Sequence, residues 1–201
     1  MYFRQGNNWS IGVCANPQLL MALYLRELGG INPHELGPNC ALEQRGRLRP
    51  LQPPASHGQI RQEWYSWWES LVKDGRSLQN GHHVGGIPDL NAQGYPELAK
   101  LANAHYGQTT LFAHECLEDF VLRSAQYVPK RMDEIEVLLA DRGIEHLAGR
   151  QAVHMQLVEV PLNEPRAWLM GQATVVASSS LMRDGKAFHG YIEPIVSIIF
   201  M

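Results

Sequence analysis

Residues 167–200 read AWLMGQATVVASSSLMRDGKAFHGYIEPIVSIIF, and the way they are read decides the fold. Ala167 to about Leu181 and Ala187 to Phe200 are apolar runs on either side of Arg183-Asp184-Gly185-Lys186, a setting that favours a two-residue type I′ hairpin. With Asp184 and Gly185 as the loop, Leu181 faces Phe188 and Ser180 faces His189. Pro194 cannot donate to a ladder, so the last strand is expected to be an edge there or to carry a bulge. Ile195 to Phe200 is almost wholly apolar, which points to cover on both faces.

Ala152 to Val160 supplies a third strand, joined to the second by a loop holding Pro161 and Pro165. Upstream of Gly149 the pattern changes to helical spacing. Asn16-Pro17 opens a helix that ends at Gly29-Gly30, with the cap residue and the N1 proline both in place. Ile60 to Lys73 repeats Ile60, Trp64, Trp67, Trp68 and Leu71 at helical intervals, a stripe read as core. Pro96 to His105, Thr110 to Tyr127 and a helix opened by Pro129 follow, and Cys116 falls on the apolar stripe of the second of these. Trp9 to Cys14 alternates as a short strand that can join the sheet edge. The expected fold is α+β in a single domain, 1–201: a helix-rich N-terminal three quarters (1–149, with long loops at 31–59 and 75–95) packed on a C-terminal three-stranded antiparallel β-meander (150–201).

Composition narrows the function classes. The 201 residues are 45% hydrophobic and 18% charged, which excludes a largely disordered chain. Cys14, Cys40 and Cys116 are odd in number and form no C-x-x-C pair, so free thiols and a cytoplasmic setting are expected. No run approaches the roughly 18 apolar residues of a membrane span. The formal net charge is −3, but Leu111 to Gly149 holds eight acidic residues (Glu115, Glu118, Asp119, Asp133, Glu134, Glu136, Asp141, Glu145) against Arg123, Lys130, Arg131 and Arg142. Phosphate binding needs clustered Lys and Arg, so nucleic acid is a poor partner and a basic protein a better one.

Candidate chemistry is sparse. His82 and His83 sit in a Gly-rich stretch, yet adjacent histidines point apart and no H-x-x-x-H or C-x-x-C pair supports a metal. His114 and Glu118 lie four apart on a polar helix face, a pairing that serves either a general base or an ordinary solvated face. Ser178 to Ser180, His189 and Asp184 supply the residue types of a triad, but no G-x-S-x-G elbow presents a serine there and Asp184 would sit at the hairpin tip. Gly171 to Val176, followed by a hairpin and Gly190 to Glu193, resembles the central strands of GNAT-type acetyltransferases. The Gly-rich pyrophosphate loop and helix that follow those strands in the family have no counterpart here, so no acetyl-CoA site is implied.

By elimination, the expected function is non-catalytic protein binding with no cofactor, most concretely an immunity or antitoxin protein that occludes a basic toxin domain. Glu115, Glu118, Asp119, Glu134 and Asp141 are the expected partner-binding residues. The alternative is a small hydrolase or transferase using His114 with Glu118, or His189, as base in a cleft between helices and sheet.

Overall fold

The computed structural model describes residues 1–31, 42–43, 57–73, 87–143 and 153–200. Five strands, β1 (Tyr2–Gln5), β2 (Trp9–Cys14), β3 (Val153–Val160), β4 (Ala167–Met170) and β5 (Thr174–Ser178), form one sheet in the order β1-β2-β3-β5-β4. The two inner pairings, β2 with β3 and β3 with β5, are parallel, and the two edge pairings are antiparallel. Among the described residues there are seven helices: α1 (Pro17–Leu28), α2 (His57–Lys73), α3 (Pro96–Ala104), α4 (Tyr106–Ser124), α5 (Val128–Asp141), α6 (Ser179–Arg183) and α7 (Gly185–Ile199). The chain divides into two compact units, Met1–Ala15 with Phe120–Met201, and Asn16–Asp119.

The α+β class stands, but the C-terminal three-stranded meander does not. The sheet is mixed and five-stranded, and β2 lies inside it, between β1 and β3, instead of at an edge. The hairpin expected at Asp184-Gly185 is a junction between two helices. Asp184 Oδ1 accepts from the backbone N–H of Lys186 and of Ala187, both at 3.1 Å, so the aspartate caps α7 rather than turning a hairpin. Ser178 Oγ accepts likewise from Leu181 N–H at 3.1 Å and starts α6. Once capped, Phe188, Ile192, Ile195 and Val196 fall on one helical stripe, and all four are buried. Pro194 is accommodated because it and Gly190, whose carbonyl loses its helical donor, are both exposed to water. Gly190 to Glu193 are therefore helical, which removes the second half of the acetyltransferase resemblance.

In the sheet-bearing unit one face of the strands packs on helices. Trp9, Ile11, Val13, Met155, Leu157 and Val175 share a buried cluster with Ile135 and Leu139 of α5 and with Phe188, Ile192 and Val196 of α7. Arg131 ties α5 to the α6–α7 junction. Its Nε donates to the Met182 carbonyl at 2.9 Å, its guanidinium pairs with Glu134, and it lies 5.3 Å above the Phe188 ring. Arg4 of β1 reaches Asp133 at 2.5 Å and Glu136 at 2.8 Å on α5. Tyr127 donates its hydroxyl to Glu159 Oε1 at 2.7 Å, inside the unit.

In the other unit, Asn16 caps α1 through bonds from Gln18 and Leu19 N–H, as the Asn16-Pro17 reading requires. The tryptophan stripe is core: Trp64, Trp67 and Trp68 are all nearly or fully buried. Trp64 Nε1 donates to the Ala22 carbonyl at 2.7 Å, and its ring stacks on Trp68 at 5.4 Å. Glu63 Oε2 accepts from Leu98 N–H at 2.8 Å, capping the start of α3.

Replacing Tyr127 by Phe removes a hydrogen bond from a carboxyl group that is 5% exposed. Tyr127→Phe is expected to lower the unfolding free energy by about 1–3 kcal/mol. The urea midpoint at unchanged m-value measures it, and a change under about 0.5 kcal/mol would show that the bond contributes little.

Candidate functional site

The face of the sheet opposite the α5–α7 core carries the polar residues of β2 and β3. Parallel register pairs Ser10 with His154, Gly12 with Gln156, and Cys14 with Val158. Because strand side chains alternate, the same geometry that buries Trp9, Ile11 and Val13 on one face brings Ser10, Gly12 and Cys14 to the other.

These side chains form a hydrogen-bonded row. Gln156, 2% exposed, donates from Nε2 to Cys14 Sγ at 3.0 Å. Its Oε1 is thereby an acceptor and lies 3.2 Å from His154 Nε2. That places the imidazole hydrogen on Nε2 and leaves Nδ1 to accept from the Ser10 hydroxyl at 2.8 Å. Gly12 makes room for the row, since a Cβ at that position would stand 2.6 Å from Gln156 Oε1. The Phe3 ring lies 6.3 Å from the His154 ring, tilted by 31°, and Phe3 is 56% exposed. Ser10 and His154 are half-buried. No strand residue on this face is charged: Arg4 and Glu159 alternate to the other side, where they meet α5 and Tyr127. Burial pushes the Cys14 thiol up to about 11, so it is a structural acceptor and not a nucleophile at neutral pH.

The residues singled out from the sequence are placed elsewhere. His114 and Glu118 sit on the outer side of α4, with Nδ1 and Oε1 3.5 Å apart and both side chains more than half exposed. Leu111, Val121 and Leu122 are exposed on the same helix. Glu115 and Asp119 are half-buried there. His189 is exposed on α7, its Nε2 3.9 Å from Glu193, while Ser180 Oγ bonds to Ser178 Oγ at 3.1 Å. The expected facing of Ser180 and His189 depended on the hairpin and goes with it. Glu134 is engaged by Arg131, and Asp141 is exposed at the end of α5. Glu115, Glu118 and Asp119 belong to the Asn16–Asp119 unit, and Glu134 and Asp141 to the other. His82 and His83 lie outside the described residues, and among the described residues no group of three His, Cys, Asp or Glu side chains can hold a metal ion.

Sequence reasoning missed Ser10, His154 and Gln156. The signal available was the alternation itself, W-S-I-G-V-C in β2 and V-H-M-Q-L in β3, which puts polar or small residues at every second position. The pairing that joins them spans 144 residues and leaves no local trace. Comparisons with protein-family models, curated proteins and solved structures find no match for this chain.

Cys116 is also buried, and burial together with the carboxylates of Asp119 and Glu115 pushes its thiol up to about 12. In the native protein at pH 8, Cys14 and Cys116 are expected to be alkylated by iodoacetamide at least ~100-fold more slowly than an unfolded cysteine, because so little thiolate is present. Peptide mass spectrometry of native against urea-unfolded protein reads this directly. Rapid native labelling of either residue would contradict the placement.

Proposed function

We propose that the protein acts by binding another protein through the outer side of α4. One observation carries the reading: Leu111, Val121 and Leu122, 58%, 69% and 75% exposed, flank His114 and Glu118 on a single helix. Residues 111, 114, 118, 121 and 122 recur at three- and four-residue intervals, so they share one side of the helix. Large aliphatic side chains left in water are stabilised when a partner covers them, each by about 1.5–3 kcal/mol on full burial. Glu115, Glu118 and Asp119 stand with Arg123 as the lone basic residue of α4, and that charge balance favours a basic partner over nucleic acid.

The most concrete form of this reading is an immunity or antitoxin protein that occludes a basic toxin domain. The aliphatic residues would anchor the contact, and the carboxylates would steer the approach and pair at its rim. Glu134 takes a smaller part than the sequence suggested, because Arg131 already holds it. A cytoplasmic setting belongs to the same proposal and is supported by Cys14 and Cys116, neither of which is joined in a disulfide. No helix among the described residues is long and apolar enough to cross a membrane.

Wild-type protein and the double variant Glu118→Lys/Leu122→Asp, immobilised and exposed to extract of the native host, provide the test. Both substituted residues are exposed, so the melting temperature should move by no more than a few degrees. Wild type is expected to retain a basic protein at low salt and release it at high salt, with retention at least ~10-fold lower on the variant. Equal retention by the two forms, or no basic protein on either, overturns the reading.

A further inference from the structure

We propose that Ser10, His154 and Gln156 form a hydrolytic site for a neutral carboxylic ester, with Ser10 as nucleophile, His154 as its base and Gln156 as a positioning residue. This goes beyond the α4 reading, uses a different surface, and replaces the expectation that the protein is non-catalytic.

Three features of the sheet face carry it. The first is order: hydroxyl, imidazole and a third group that fixes the imidazole are joined in sequence at 2.8 Å and 3.2 Å, the arrangement that activates a serine. Gln156 supplies an uncharged acceptor, as asparagine does in Cys-His-Asn sites. The second is rigidity combined with access. Gln156 is buried and held from both ends of its amide, by His154 and by Cys14, while Ser10 and His154 keep partial contact with water. All three stand on neighbouring parallel strands, so their spacing is set by the ladder and not by a loop. The third is polarity. The strand residues of this face include no charge to recruit an ionic substrate, and Phe3 presents an exposed ring beside the imidazole. An ester with an apolar acyl or alcohol portion fits those surroundings.

The chemistry balances within these groups and water. Ser10 Oγ forms a bond to the carbonyl carbon as its proton passes to His154 Nδ1. The ester C–O bond then breaks, and the departing alkoxide takes that proton and leaves as the alcohol. Water, deprotonated by the same Nδ1, cleaves the acyl-serine to the carboxylic acid and restores the Ser10 hydroxyl. Gln156 Oε1 holds the Nε2 hydrogen throughout, and keeps Nδ1 turned toward Ser10.

A fluorophosphonate probe tests the site on the intact protein. Ser10 Oγ would displace fluoride from phosphorus, its proton passing to His154, to leave a stable phosphonyl-serine. Peptide mapping of the wild type is expected to find the adduct on Ser10. The rate should fall by ~100-fold or more in His154→Asn, on the scale of general-base assistance. Gln156→Glu retains an acceptor oxygen toward His154 and should keep more of the labelling rate than Gln156→Leu, a difference that a purely structural role for Gln156 would not produce. Wild-type protein with no adduct on Ser10, or labelled only at other serines, overturns the proposal without recourse to any variant. So does a folded His154→Asn protein that labels as fast as wild type. None of these readouts depends on whether α4 binds a partner.

Discussion

Strand residues with water on neither face must satisfy their polar atoms from the protein, and β3 beyond His154 is under that constraint. From Met155 to Val160 every residue is buried, yet Gln156 and Glu159 lie among them on opposite faces. An unpaired buried acceptor or donor costs about 1–3 kcal/mol, a sizeable part of a small protein's net stability. The two faces answer differently. On the helix-covered side Tyr127, at the entrance to α5, reaches in to Glu159, so the polar atom also fixes how the chain enters that helix. On the other side Gln156 is held by Cys14 and His154, and Gly12 is bare because any side chain there would collide with the amide. The identities of three residues on two strands thus follow from one buried glutamine.

The same need to satisfy polar groups organises the C-terminal end. Met182 and Arg183 end a five-residue helix whose carbonyls would otherwise lack donors, and Arg131 of α5 supplies them. Its guanidinium fills the space beside Gly185, where a Cβ would stand 2.7 Å from Nη1. Glu134 then balances the buried charge. A residue that looks in the sequence like part of an acidic surface is in this way spent on holding two helices together. Glu118, one helix earlier, has no such task beyond an exposed pairing with His114, and remains available to a partner. The part that Glu134 plays in the fold was decided by the buried arginine beside it.

Helix positions were legible wherever local chemistry was unambiguous. Asn16-Pro17, Pro96 and the Trp64–Trp67–Trp68 stripe each specify their structure with side chains a few residues apart. Asp184-Gly185 was ambiguous, because aspartate followed by glycine suits both a type I′ turn and a helix start. The almost wholly apolar run Ile195 to Phe200 tilted the reading toward a strand. Burial resolved it the other way, since only a helix places Phe188, Ile192, Ile195 and Val196 together against β2, β3 and β5. As for the sites, the polar side of α4 with His114 and Glu118 could be read from periodicity, whereas the exposure of Leu111, Val121 and Leu122 and the row on the sheet could not.

Local spacing by itself determined the mixture of helix and strand, the capped start of α1, the aromatic core of α2 and the acidic character of α4, because each depends on residues within one or two turns. Only the tertiary structure decided that β2 lies inside the sheet, that its neighbour β3 pairs with it from 144 residues downstream, and that Ser10 meets His154 and Gln156. Parallel pairing requires a long crossover, so its register is set by which faces must be buried and not by any turn that a sequence displays.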